Sequence, residues 1–162
     1  SAFSLVREKN PGLKLKLAGK AIDRGYQAEI NEAIYSANLE SAVELIGEQT
    51  TKNLVHLYQS CALFIFPSTV ETFGNPLVEA MACGTPIASS NTAAMPEILG
   101  DAATYFDPLD VKDMANTIIS ILENENERQR LGTLALERAK LFSWQETASQ
   151  TANIIKSVAS SG

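Results

Sequence analysis

The stretch Glu71-Thr72-Phe73-Gly74-Asn75-Pro76-Leu77-Val78-Glu79 decides the reading of this chain. Asn75 is placed to cap a helix, its side-chain oxygen accepting a free amide of the first turn. Pro76 then falls at the first helical position, where its fixed φ helps and its missing N–H costs nothing. Gly74, just before, lets another group approach the backbone closely. The spacing therefore predicts a helix N-terminus with unpaired amides turned outward, which favours a phosphate. Glu71 stands in the loop before it and Glu79 in its first turns. Amides for a phosphate, flanked by carboxylates that accept hydrogen bonds from hydroxyls, suit a sugar nucleotide.

Outward from this stretch, short apolar runs alternate with helical periodicity. Upstream, Ala62 to Phe66 is a nearly continuous apolar run, the pattern of a central parallel strand, ending at Pro67-Ser68. Before it, Leu13 to Ala18 reads as a strand closed by Gly19, and Ile22 to Ala37 as a surface helix. Val43 to Ile46 reads as a short buried strand ending at Gly47. Thr50 or Thr51 then caps a helix carrying Leu54, Val55, Leu57 and Tyr58. Downstream, the predicted helix from Asn75 runs to Cys83, and Gly84-Thr85-Pro86 turns into a strand from Ile87 to Ser89. Pro96 to Leu99 begins a short helix, and Ala102 to Phe106 is a last strand. From Asp110 onward the pattern is helical. Asp110 and Asp113 have the spacing of a cap-and-return pair, and Ser143 to Glu146 fits a capping box. Strands alternating with helices imply an α/β fold, a parallel sheet covered on both faces. Ligands of such sheets sit outside the carboxyl ends of the strands. That edge receives Gly19-Lys20, Gly47-Glu48-Gln49, Ser68 and Glu71.

The 162 residues suffice for one domain with a core, and 45% hydrophobic against 20% charged residues describes a globular chain. A net charge of −6 argues against broad binding to nucleic acid or an acidic membrane, and leaves room for one anion held locally. Cys61 and Cys83 read as reduced core thiols of an intracellular protein, and no His joins them at metal-ligand spacing. No run approaches the ~20 apolar residues of a membrane-spanning helix. Ser1 to Lys9 reads as the inside of an amphipathic helix rather than a signal peptide, so the chain is expected to be cut from something longer. His56 reads as a structural or surface histidine. Trp144, after the cap Ser143, reads as a core anchor, and Met81 and Met114 as core fillers.

Three groups of residues together resemble a known family. They are Pro67-Ser68, then Glu71-x7-Glu79, then Glu79-Ala80-Met81-Ala82-Cys83-Gly84-Thr85-Pro86. The resemblance is to the retaining glycosyltransferases of family four, which have the GT-B fold. It continues through Pro96-Glu97, Gly100-Asp101-Ala102-Ala103, Phe106-Asp107-Pro108 and Phe142-Ser143-Trp144. It implies one Rossmann-like, donor-binding half of a GT-B enzyme. Glu79 would accept hydrogen bonds from the ribose hydroxyls of the donor nucleotide. Glu71, the candidate catalytic residue, would lie against the transferred sugar, orienting it and stabilising its positive charge. Backbone groups of Phe73, Gly74, Asn75 and Leu77 would contact phosphate and sugar, with Lys20 a further candidate for phosphate. The loop Gly47, Glu48, Gln49 would meet the base through main-chain groups. The donor would be a nucleotide sugar and the acceptor a glycan or lipid-linked sugar. No metal or other cofactor is implied, and the setting would be cytoplasmic, with room for peripheral membrane association of the parent enzyme.

Each residue also has a plain structural explanation. Asn75 is complete as a helix cap, Phe73 and Leu77 as packing, Glu71, Glu79 and Lys20 as solvated charges, and Gly47 to Gln49 as a turn. The chain departs from the family in one respect. The Gly-Arg…Lys-Gly context after the family's first strand of this domain is absent, as is the acceptor domain. The expectation is a fold lacking its first strand, with an exposed sheet position and no sugar transfer by this chain alone. Two rival readings share the architecture: a non-catalytic nucleotide-sugar-binding module, and a GT-B sugar-nucleotide epimerase. Intact Glu71 and Glu79 argue against the first, and the motif run after Glu79 against the second.

Overall fold

The structure, a computed structural model, describes residues 1–21 and 23–160. Its elements run α1 (Ala2–Lys9), β1 (Leu15–Ala18), α2 (Arg24–Ser36), β2 (Val43–Gly47), α3 (Thr51–Ser60), β3 (Phe64–Phe66) and α4 (Asn75–Ala82). They continue with β4 (Ile87–Ser90), α5 (Met95–Leu99), β5 (Ala103–Phe106), α6 (Val111–Leu122), α7 (Glu125–Ala139) and α8 (Trp144–Ala159). Ile22, where the sequence pattern starts the second helix, lies outside the described residues.

Every strand pair is parallel, as alternation with helices requires, but the order corrects the single-sheet expectation. β1 pairs with β2, Leu15 opposite Val43, while β3, β4 and β5 form a separate sheet in that order. The run at Ala62–Phe66 yields a shorter strand, and that strand lies at an edge. The central strand is β4, whose four residues are all buried. An apolar run reports that a strand is covered, not how many strands flank it. Among the described residues β1, β2, β3 and β5 each have one unpaired edge, as the end strands of two open sheets do. The cluster around Val6, Ala115 and Ile118 gathers Leu13, just before β1, together with Leu63 and Ile65 at β3. Helices α1 and α6 therefore cover the break from one side.

The main core lies under α4, where Leu77, Met81, Ile87, Met95 and Leu99 are inaccessible to solvent. Burying each such side chain contributes about 1.5–3 kcal/mol. Helix starts follow the polar residues that precede them. Thr50 accepts from the Asn53 amide at 3.3 Å, and Asp110 Oδ1 accepts from the amides of Lys112 (2.8 Å) and Asp113 (3.1 Å). Asp113 returns to the Asp107 amide at 2.7 Å, closing the turn between β5 and α6. The Ser143–Glu146 box is half made. Ser143 caps the Glu146 amide, while the Glu146 carboxylate accepts from Gln150.

Trp144 is no core anchor, being 85% exposed. Helix α8 buries none of its residues, so nothing in the described chain lies beneath its apolar side. A cap motif announces a helix without saying whether the helix folds back on its domain. Among the described residues no helix is long and apolar enough to cross a membrane.

Candidate functional site

The start of α4 corrects the capping assignment. Gly74 is the N-cap, in the left-handed region at φ 79° and ψ 65°, and Asn75 is the first helical residue. The left-handed turn bends the chain into the helix one residue early. Only glycine suits it, because a Cβ there would meet Leu77 Cδ1 at 3.0 Å. Pro76 becomes the second helical residue, still within the turn that needs no donor. No side chain caps this helix, and the Leu77 amide donates to the Gly74 carbonyl at 2.9 Å. Among the described residues the amides of Gly74 and Asn75 have no acceptor. The helix end is thus barer than an asparagine cap would have left it.

The loop leading to it is held from β4. Ser90 Oγ donates to the Ser68 carbonyl at 2.6 Å, Ser89 Oγ to Phe66 at 3.5 Å, and Thr92 Oγ1 to Thr69 at 3.4 Å. Ser89 and Ser90 are fully buried. Sequence reasoning passed over them, although two serines closing an otherwise apolar strand were the available signal. Glu71 is half-buried, with its Cγ 3.7 Å from where a Cβ on Gly74 would stand, so it folds over the turn. Phe73 packs edge-on against Phe142, centroids 5.8 Å apart. Leu77 is wholly buried, so its backbone alone is available to a ligand.

Glu79 is exposed, one turn into α4, and its Oε2 accepts a hydrogen bond from the Tyr58 hydroxyl at 3.3 Å. Burial first, and then the Glu79 carboxylate, push the Tyr58 phenol well above its ordinary pKa, so it stays a donor. At the ends of the other strands, the Gly19 amide donates to the Gly47 carbonyl at 2.9 Å. That bond brings Lys20 and the Gly47–Gln49 loop to one edge, where Lys20 and Glu48 are exposed. The Gln49 side chain is engaged locally. Its amide donates to the Ile46 carbonyl, and its oxygen accepts from Asn53 at 3.2 Å. It lines a cavity of about 260 Å³ with Lys16, Asn53 and His56.

The predicted residues therefore form two sets on different sheets, the loop and start of α4 in one and the ends of β1 and β2 in the other. A larger cavity, about 530 Å³, opens between Cys61, Cys83 and α7 and takes in none of them. Cys61 is exposed and Cys83 half-buried, which corrects their reading as core thiols. They stand at the C-terminal ends of α3 and α4, where each helix runs out toward this cavity. Among the described residues no group of His, Cys, Asp and Glu is arranged to hold a metal ion.

With this geometry in hand, comparison with known proteins is decisive for ancestry. The sequence profile described as Glycosyl transferases group 1 matches residues 1–138. The chain belongs to that family. Among its relatives, the O-antigen chain mannosyltransferase B of Escherichia coli is 33% identical over 134 residues, 82% of this chain and 35% of that protein. Mannosylfructose-phosphate synthase of Agrobacterium fabrum is 29% identical over 95% of this chain and 36% of its own length. The sucrose-phosphate synthase structure from Thermosynechococcus elongatus superposes with a TM-score of 0.88 at 25% identity, covering 99% of this chain and 42% of that one. Anabaena HepE, solved with UDP and glucose, shares the fold at a TM-score of 0.85 and 24% identity, over 96% of this chain and 44% of that one. The chain spans about a third to under half of the length of these relatives, and its architecture corresponds to one half of a GT-B protein.

Proposed function

We propose that this chain is the donor-binding half of a retaining glycosyltransferase, which moves a sugar from a nucleotide sugar to a glycan or lipid-linked acceptor. One observation carries the proposal. In a member of the group 1 glycosyltransferases, α4 begins uncapped, with Glu71 folded over its first turn and Glu79 exposed one turn on. The free amides of Gly74 and Asn75 hold the donor phosphate, and Lys20 adds positive charge from the other sheet. Glu79 accepts the two ribose hydroxyls, and the Gly47–Gln49 main chain meets the base. Glu71 orients the sugar.

In the reaction the bond between the anomeric carbon and the phosphate oxygen breaks, leaving positive charge on the sugar and negative charge on the diphosphate. The amides stabilise the second and Glu71 the first. The acceptor hydroxyl attacks from the face the phosphate leaves, passes its proton to the departing oxygen, and configuration is retained. This scheme uses no metal. A second domain supplies the acceptor, so this chain alone does not turn over. The mannosyltransferases among its relatives and the UDP and glucose bound to HepE support a hexose on a nucleoside diphosphate. We place the parent enzyme in the cytoplasm, with a lipid-linked acceptor bringing it to the membrane surface.

The test is a panel of UDP-, GDP- and ADP-sugars titrated onto the parent enzyme, with Glu79→Ala alongside. Losing two hydrogen bonds to a charged group removes roughly 3–6 kcal/mol, so donor affinity should fall by about 100-fold or more. Unchanged affinity would remove Glu79 from the site.

A further inference from the structure

We propose that Tyr58 is a positioning residue for Glu79, holding its carboxylate ready for the ribose hydroxyls of the donor. The inference rests on the ribose role given to Glu79 above and adds a residue that the sequence motif does not contain.

Three observations carry it. The Tyr58 hydroxyl donates to Glu79 Oε2 at 3.3 Å, across 21 positions of sequence and between two helices. The Glu79 side chain makes no other hydrogen bond or ion pair among the described residues, so Oε1 remains available. Tyr58 itself is 8% exposed and fixed from three sides. Its ring meets Phe64 of β3 edge-on, centroids 5.2 Å apart. Its carbonyl accepts from Thr85 Oγ1 at 2.9 Å, after α4, and from Cys61 Sγ at 3.5 Å, at the end of α3.

The physical sense follows from the mismatch between the two side chains. A glutamate on an exposed helix face has three rotatable bonds and loses that freedom when a ligand orders it. A buried tyrosine has two, both locked here by packing. Its hydroxyl is therefore a fixed donor offered to a mobile acceptor. Glu79 is ordered in advance, and less freedom is lost on binding. A buried phenol needs some acceptor in any case. Tyr58 thus has two possible reasons for its bond, and the experiment separates them.

UDP and GDP, each as the ribonucleotide and as the 2′,3′-dideoxynucleotide, are titrated onto the parent enzyme, onto its Tyr58→Phe and Glu79→Ala variants and onto the double variant, with melting temperatures recorded. Tyr58→Phe should weaken the preferred ribonucleotide about three- to tenfold, the effect of leaving one rotamer-rich side chain to be ordered by the ligand. It should leave the dideoxy form unchanged, and have no effect once Glu79 is alanine. Equal weakening of both forms, or the same weakening in the Glu79→Ala background, makes Tyr58 merely structural and overturns the inference. If Glu79→Ala loses ribonucleotide affinity while Tyr58→Phe does not, the inference falls and the ribose role stands. If neither ribonucleotide binds at millimolar concentration, or Glu79→Ala changes nothing, the ribose role falls and takes the inference with it.

Discussion

Gly132→Ala is expected to destabilise this protein, although helix propensity predicts the opposite. Gly132 lies in the interior of α7, where exchanging glycine for alanine ordinarily stabilises by about 1 kcal/mol. In this fold a Cβ at that position would lie 2.6 Å from the Gly84 carbonyl oxygen. Ordinary contact begins at 3.4 Å, so α7 and the turn after α4 must separate by close to an ångström. The turn resists. Gly84 holds a left-handed φ of 69°, its amide donates to Met81 at 3.0 Å, and the next residue, Thr85, is buried and bonded to Tyr58. Overpacking of this kind costs about 1–3 kcal/mol. The clash is with backbone rather than a flexible side chain, so the upper part of that range applies, about 2–3 kcal/mol, and after the propensity gain the net loss is about 1–2 kcal/mol. Urea unfolding should show a lower midpoint at unchanged slope. The melting temperature should fall by about 2–8 °C for a chain of this length. A variant as stable as the parent, or more so, refutes the reasoning, because it would mean that α7 does not seat on Gly84. The contact bears on the site, since the same turn ends the helix that carries Glu79.

Three further outcomes follow from buried polar groups. Ser90→Ala removes the donor to Ser68 and leaves a carbonyl without its partner, so stability should fall by about 1–2 kcal/mol in denaturant titration; a neutral result would detach the Glu71 loop from β4. The Tyr105 hydroxyl donates to the Gly100 carbonyl at 2.6 Å, and burial pushes its pKa up to about 12. The folded value exceeds the unfolded value of 10, so its stabilisation is complete below pH 10 and lost as pH rises toward 12. Tyr105→Phe should flatten that part of the pH–stability curve; an unaltered curve counts against the burial of this phenol. Cys61 is exposed as a residue, but its Sγ is turned inward onto the Tyr58 carbonyl, and desolvation pushes both the Cys61 and Cys83 thiols up, with Glu79 adding to the effect at Cys83. An aromatic disulfide reagent at pH 8 should therefore label the folded chain more slowly than the urea-unfolded chain, and equal rates would contradict it.

Local chemistry was legible in the residues. The polar cap before each of α3, α6 and α8, the glycine turns, and the two glutamates around a helix start are all written within a few positions. They emerge where expected because capping and turn formation involve neighbours in sequence. The α/β alternation was legible too, since a period of two giving way to 3.6 is a property of each segment alone. Errors began where an assignment depended on a partner far along the chain. Ala62–Phe66 reads as central, yet its strand is an edge, because only pairing reveals the missing neighbour. Trp144 reads as core, yet α8 has nothing beneath it. Asn75 reads as the cap, yet the left-handed turn at Gly74 displaced it by one residue, and that turn answers to the packing of Leu77. The bonds made by Tyr58 and Ser90 escaped notice because their partners lie 21 and 22 positions away. A side chain's type shows what bonds it can form. Which bonds it forms depends on distances that exist only once helices and strands have been packed together.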